Sequence, residues 1–298
     1  MAQLGKTIRI YLDDGTVSGI RHAEIINWTG QAIASPRTKI KSLREWDESK
    51  KPGVYFLFGV DELTGQDALY VGEAENVYER LQQHLANKDF WNEVIFFTNK
   101  DENLTKSHVK YLESRFIKLA KQASRYIVLN GNESQLPVLP RGERAAMEEF
   151  IDRAKILLGV LGYRALEFLT KNTKNTFPID NQNQNEQELE TQIELLLNSK
   201  NVSAKAYLTD EGVVVLAGSK VSKEIKDSLS PGYKKLRESL FKNGIIVETP
   251  NGFIFAKDQL FKSPSQAAAI IVGYSVNGRL YWKTKQGKTL KEIEEKYK

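Results

Sequence analysis

The 298-residue chain contains no cysteine, which excludes disulfides and every cysteine-liganded zinc site. Histidine is almost as scarce. With three in all, a multi-histidine metal centre is hard to build. No stretch approaches the ~18 consecutive apolar residues of a membrane helix, so no membrane association is expected. The first fifteen residues, MAQLGKTIRIYLDDG, hold no apolar run after their first basic residue, which is not the pattern of a signal peptide. A soluble, cytoplasmic protein is the expectation, and the missing cysteines agree with a reducing compartment.

What is present is an ordinary globular mixture, 41% apolar and 27% charged. The length suits two domains, and either half is long enough to bury a core. Net charge is +5, unevenly placed: residues 217–298 carry sixteen Lys/Arg against eight Asp/Glu, a local balance of +8, so the remainder is slightly acidic. A basic C-terminal segment suits a phosphate backbone, and equally a solvated lysine-rich surface.

Periodicity divides the chain further. Residues 7–12 alternate, and Asp14-Gly15 then predicts a hairpin returning over 16–20. With a helical segment at 36–48, residues 1–50 read as a β-rich unit leading into the first main domain. That domain, 51–170, reads as strands at 53–60 and 68–72 joined by a turn, a helix at 75–86, a strand at 93–98, a long helix at 105–123 and a short strand at 126–129. A helical extension follows at 143–170. The expected fold is α+β, a small antiparallel sheet flanked by helices. Residues 171–187, KNTKNTFPIDNQNQNEQ, are polar and rich in Asn and Gln, and predict a flexible linker. The second domain, 188–298, reads as a small α+β unit. It has a helix at 188–197, hairpins around Asp210-Glu211-Gly212 and Asn251-Gly252, helices at 232–241 and 263–272, a strand at 279–283 and a last helix at 290–297.

Phosphodiester hydrolysis needs a cation to offset phosphoryl charge, a group to activate water and help for the leaving oxygen. Residues 53–84 supply much of this. Gly53-Val54-Tyr55 lies on the first strand of the domain and Tyr70-Val71-Gly72 on the second, so a hairpin brings Tyr55 and Tyr70 close together. Arg80 and His84, four apart on the next helix, share one of its faces. Glu113 falls at the margin of the apolar face of the long helix, where a carboxylate can line a cleft.

Gly-Val-Tyr, then Tyr-Val-Gly, then an arginine eight residues on and a glutamate in a later helix resemble the GIY-YIG nuclease family over about 80 residues. The resemblance implies a metal-dependent endonuclease, with nucleic acid, DNA first, as its partner and Mg2+ or Mn2+ as its cofactor. It implies that Tyr55 helps activate water, that Tyr70 contacts the phosphate or water network, and that Arg80 stabilises phosphate charge. His84 sits where some members carry histidine. Glu113 matches the single metal-binding carboxylate. Asn130 matches the asparagine after the catalytic helix, with Asn132 close enough to compete for that place. Gly53 and Gly72 are expected at tight structural turns. Valine replaces isoleucine in both motifs, a mild swap, and the loop between them is longer than in many members. Singly, Tyr55 and Tyr70 would read as sheet tyrosines, and Arg80 with Glu113 as a structural ion pair. The competing class is a non-catalytic nucleic-acid-binding or interaction protein that keeps the nuclease fold. His108 reads as a surface residue and His22 as structural.

The C-terminal half, over roughly 200–292, is similar to a small domain of unknown function often found after such nuclease domains. The resemblance rests on Ala217-Gly218-Ser219, the run 261–265 with Ala267-Ala268, Gly273, Asn277-Gly278 and Trp282-Lys283. Here Tyr274, Tyr281 and Trp282 lie among Arg279, Lys283, Lys285 and Lys288, a mixture that suits base stacking and phosphate contacts. The alternative is that Trp282 is a core residue of a small sheet.

Overall fold

The alternating residues near the N-terminus do form a strand in the computed structural model, which describes residues 5–131, 136–170, 193–199 and 202–296. The chain is α+β and divides into two compact units, Met1–Phe168 and Leu169–Lys298. The expected linker at 171–187 lies outside the described residues.

In the first unit, β1 (Ile8–Leu12) pairs antiparallel with β2 (Arg21–Ile25), and β2 with β3 (Gly30–Pro36). The return strand is thus later than the predicted 16–20. Asp14 accepts hydrogen bonds from the Thr16 amide (3.0 Å) and hydroxyl (2.8 Å), and this side-chain turn holds the segment as a loop. β3 pairs with β6 (Trp91–Asn99), β6 with β4 (Gly53–Val60) and β4 with β5 (Asp67–Ala74). The short β7 (Ile127–Val128) lies parallel to β5. One seven-stranded sheet results, in the order β1-β2-β3-β6-β4-β5-β7. Residues 8–36 therefore widen the main sheet instead of forming a unit of their own.

Sheet alternation sends Tyr55, Leu57 and Phe96 to one face and Val54, Phe56 and Phe97 to the other. The first face is covered by α1 (Val77–Asn87) and by two 3-10 segments, Arg37–Glu45 and Asp47–Lys50. The second is covered by α2 (Lys106–Ala123) and α3 (Arg141–Val160). α3 ends well before the predicted 170. Gly162, at φ 101°, turns the chain, and the Tyr163 amide caps the Leu158 carbonyl at 2.8 Å.

In the second unit, β8 (Glu194–Ser199), β9 (Val202–Thr209), β10 (Gly212–Val215) and β14 (Gln259–Phe261) form a sheet in the order β14-β10-β9-β8. A smaller sheet joins β11 (Lys220–Val221), β13 (Gly252–Phe255) and β12 (Ile246–Thr249). The helices are α4 (Pro231–Lys242), α5 (Pro264–Val272), α6 (Gly278–Tyr281) and α7 (Leu290–Glu295). Ser263 caps α5 ahead of Pro264 at its first turn, and residues 267–272 are all buried. Two expectations are corrected here. The described part of 188–197 is strand, with Leu195 and Leu197 buried on one face at period two. Of the stretch predicted as strand at 279–283, residues 279–281 lie in the helical turn α6, whose cap is Asn277, accepting from the Arg279 amide, and Lys283 alone makes an isolated β-bridge to Leu196.

Candidate active site

In the β4–β5 ladder Tyr55 stands opposite Gly72 and Leu57 opposite Tyr70. Both tyrosines therefore project from one face of the sheet, with ring centroids 6.4 Å apart. α1 lies over that face. Asn76 caps it by accepting from the Glu79 amide, and helical spacing sets Arg80 and His84 one turn apart. α2 packs on the opposite face through Val109, Leu112 and Phe116. Glu113, next to Leu112, is half-buried at the edge of that contact.

The Tyr55 hydroxyl is the meeting point. It lies 2.7 Å from His84 Nε2 and accepts from Arg80 Nε at 3.3 Å. Arg80 can only donate, so the phenol oxygen accepts from it, and in the His84 tautomer that leaves Nε2 unprotonated Tyr55 donates to that nitrogen. The Tyr55 ring is fully buried and His84 nearly so, whereas Arg80 is exposed and steadied by Gln83 at 2.8 Å. The Tyr70 ring sits edge-on to His84, centroids 5.5 Å apart, and Lys88 Nζ lies 4.2 Å above it.

Burial and charge set the protonation states. His84 is depressed to about 4 by burial, with Arg80 and Lys88 adding to the effect. It is a neutral acceptor at physiological pH. Burial raises both tyrosine hydroxyls, against the opposing pull of Arg80. Glu113 is pushed up to about 7 by burial and by the nearby Glu73 carboxylate, with Arg80 and Lys110 opposing. Glu73 was not among the residues expected at the site. Sheet parity carries the signal that finds it: the alternation that sends Val71 to the α2 side sends Glu73 there too. Glu113 is the residue best suited to a hard divalent cation, because a magnesium-like ion keeps most of its waters and needs few protein ligands. Among the described residues no group of three or more His, Asp or Glu gathers as a metal cluster.

Several expected roles change. Gly53 and Gly72 are not turn residues. Both lie in strands without positive φ, and glycine is required by close packing. A β-carbon on Gly53 would stand 2.5 Å from the Phe97 carbonyl oxygen, and one on Gly72 would meet the Tyr55 ring. Asn130 uses its side chain on the backbone of Val71, accepting from its amide at 3.0 Å and donating to its carbonyl at 2.7 Å. It positions the Tyr70-Val71-Gly72 strand. Asn132 lies outside the described residues. His108, expected at the surface, closes the capping box of α2 with Thr105 and pairs with Glu143 at 3.0 Å.

In the second unit Trp282 is fully buried, its Nε1 donating to the Pro264 carbonyl at 3.0 Å. It is a core residue of this unit and offers no exposed ring for stacking. Arg279 pairs with Glu294 at 2.5 Å and Lys285 with Glu194 at 2.6 Å, while Lys283 is exposed and bridges through its backbone to Leu196. The exposed aromatic of the cluster is Tyr281, edge-on to Tyr274, whose ring carries Lys226 Nζ at 4.7 Å.

Residues 195–294 match the family described as a domain of unknown function, DUF4357. No curated protein matches the chain, and no solved structure does. No helix among the described residues is long and apolar enough to cross a membrane.

Proposed function

We propose that the first unit is a GIY-YIG-type endonuclease that hydrolyses phosphodiester bonds, with DNA as its substrate. The observation that carries this reading is the Tyr55 hydroxyl held between Arg80 Nε and His84 Nε2, together with the motif order around it. A hydroxyl so placed can orient an attacking water and relay its proton to neutral His84. Burial disfavours both the tyrosinate and the His84 imidazolium, which is held at about 4, so the proton moves only as the new phosphoryl bond forms. The exposed Arg80 guanidinium is available to the phosphoryl oxygens as their charge builds. Asn130 and Gly72 keep the second strand aligned so that Tyr70 faces the same space.

Glu113 is the residue that would hold a divalent cation, Mg2+ or Mn2+. Its fit is electrostatic: burial beside Glu73 leaves negative charge there undercompensated. A bound cation supplies charge compensation for the phosphoryl oxygens.

The second unit is proposed to help hold nucleic acid through its basic surface, with Tyr281 and Lys226 as contacts in place of Trp282.

The test is incubation of the full chain with end-labelled duplex, single-stranded and branched DNA and with RNA, in Mg2+, Mn2+ or chelator. Cleavage that needs the cation and disappears in Glu113→Gln is expected. A folded protein that binds these substrates but cuts none of them with either metal would leave the non-catalytic binding protein as the correct reading.

A further inference from the structure

The seven-stranded sheet of the first unit ends at β1, and among the described residues no strand lies on its outer side. Hydrogen bonding fixes which groups that border presents. The Asp13 amide donates to the Ile20 carbonyl and the Ile26 amide to the Thr7 carbonyl, both at 3.1 Å. In the β1–β2 register these pairs fall in step with Arg9 opposite Glu24 and Tyr11 opposite His22. An antiparallel ladder bonds every second residue. Arg9 and Tyr11 therefore turn their main-chain groups to β2, and Ile8, Ile10 and Leu12 turn theirs outward. β1 carries no proline, glycine or bulge to blunt that border. Its one charge, Arg9, pairs with Glu24 at 3.0 Å. Ile10 is 42% exposed and Tyr11 55%.

We infer that β1 is a self-association surface, pairing antiparallel with β1 of a second copy of this chain. The strand is complementary to itself. One two-fold register pairs the whole strand through its outward groups: Ile10 stands opposite its own counterpart, Ile8 opposite the partner's Leu12, and Leu12 opposite the partner's Ile8. On that face isoleucine and leucine side chains meet. On the other, Arg9 meets the partner's Tyr11, so no like charges stand opposite one another. Beyond the strand, the exposed Lys6 comes beside the partner's Asp13 at both ends of the ladder. A peptide of unrelated sequence would match neither the apolar register nor these two charge pairs, whereas self-pairing supplies both. Opposed side chains share a face, so both copies present the Tyr55 face on the same side of the joined sheet. The inference stands on the edge strand and does not depend on the proposed chemistry.

Because the chain has no cysteine, the pairing can be read with a single introduced thiol. In Ile10→Cys the two positions face each other with α-carbons about 5.5 Å apart, within disulfide reach. Mild oxidation of the full-length variant is expected to give a covalent dimer. In Tyr11→Cys the two thiols sit two residues out of step, beyond the ~7 Å limit, and little dimer should form. Sedimentation of the wild type over a range of concentrations is expected to show a reversible dimer. Ile10→Pro removes an N–H that makes no bond to β2 and donates once from each copy in the dimer, so an edge strand can accept it. It should weaken the dimer by about 10–100-fold, the effect of two lost hydrogen bonds, with circular dichroism and melting still those of a folded chain. Ile10→Lys sets two ammonium groups face to face and should weaken the dimer without a backbone change. A wild type that stays monomeric at every concentration, a dimer that both folded variants retain, or cross-linking as ready in Tyr11→Cys as in Ile10→Cys would overturn the assignment.

Discussion

Arg115 and Glu148 form a two-pronged pair that locks α2 to α3: Arg115 Nε lies 2.6 Å from one carboxylate oxygen and Nη2 2.7 Å from the other. The Tyr111 hydroxyl adds a third contact at 2.7 Å. Paired forks of this kind are among the stronger polar interactions in proteins, and this one sits two residues along α2 from Glu113. Glu148→Ala would take from a buried guanidinium its two-pronged carboxylate partner. Breaking a buried pair costs ~3–5 kcal/mol, and a value near ~3 kcal/mol is expected, because Glu148 keeps 25% of its side chain exposed. Burial raises the Glu148 carboxyl, but the bonds from Arg115 and Tyr111 outweigh it and hold the group below its usual range. Its stabilisation is therefore present at neutral pH and lost as pH falls through that lowered value. Urea denaturation of wild type and variant at several pH values checks both statements. Equal midpoints throughout would show that the pair does not anchor α2.

Gly72 bears on chemistry and not on a turn. A β-carbon there would stand 2.2 Å from the Tyr55 hydroxyl oxygen, closer than any real contact, so Gly72→Ala must displace the ring. The expected outcome is a folded protein, destabilised by ~1–3 kcal/mol as overpacked cores are, whose cleavage rate falls by at least ~100-fold, the scale of losing one positioned catalytic donor. Rate and melting temperature measured on the same preparation decide it. A variant melting as expected but cutting at the wild-type rate would remove Tyr55 from the mechanism.

Glu113 sets a trade between stability and activity. Its carboxyl is raised to about 7 in the folded chain, chiefly by burial, against a much lower value when unfolded. Such a group favours the folded state fully below its unfolded pKa and ceases to do so as pH rises through about 7. Glu113→Gln removes that pH-dependent loss. In chelator, the variant should melt above wild type at pH 8 by about 2–4 °C per kcal/mol relieved, while near pH 4 the two should coincide. Cleavage should meanwhile vanish. Identical melting offsets at both pH values would show that Glu113 is not held up by its surroundings.

Trp282 and Tyr281 should separate folding from binding in the second unit. Trp282→Ala empties a fully buried site and should cost ~3–5 kcal/mol of stability. Tyr281→Ala should leave the fold intact and weaken oligonucleotide binding by ~1–3 kcal/mol if its ring stacks on a base. Fluorescence titration at several salt concentrations measures the second effect. Unchanged affinity in Tyr281→Ala would confine any nucleic-acid contact to the lysines.

The strands and helices between residues 53 and 123 were legible because each element combines clear periodicity with a clear boundary: Asn76 and Thr105 as caps, Gly65 at positive φ in the turn. The convergence of Arg80 and His84 was legible for the same reason, since helical spacing alone puts them together. Glu73 was missed because a carboxylate in a strand declares its partner only once the helix behind that strand is known. Trp282, open in the sequence between a stacking ring and a core residue, is core: the cations around it make its neighbourhood look like surface, while its partner Pro264 lies eighteen residues earlier. The leucines of β8 are compatible with helix or strand, and pairing with β9 decides between them.

The grip of Asn130 on Val71 also protects the chain from its own kind. Past the two residues paired with β7, the main-chain donor and acceptor of Val71 would form part of an open border to which an extended segment of another molecule could add. A single side-chain amide occupies both groups, doing for one residue what a longer β7 would do for several. The border next to the tyrosine motif thereby offers another strand one pairing position fewer, at the residue between Tyr70 and Gly72.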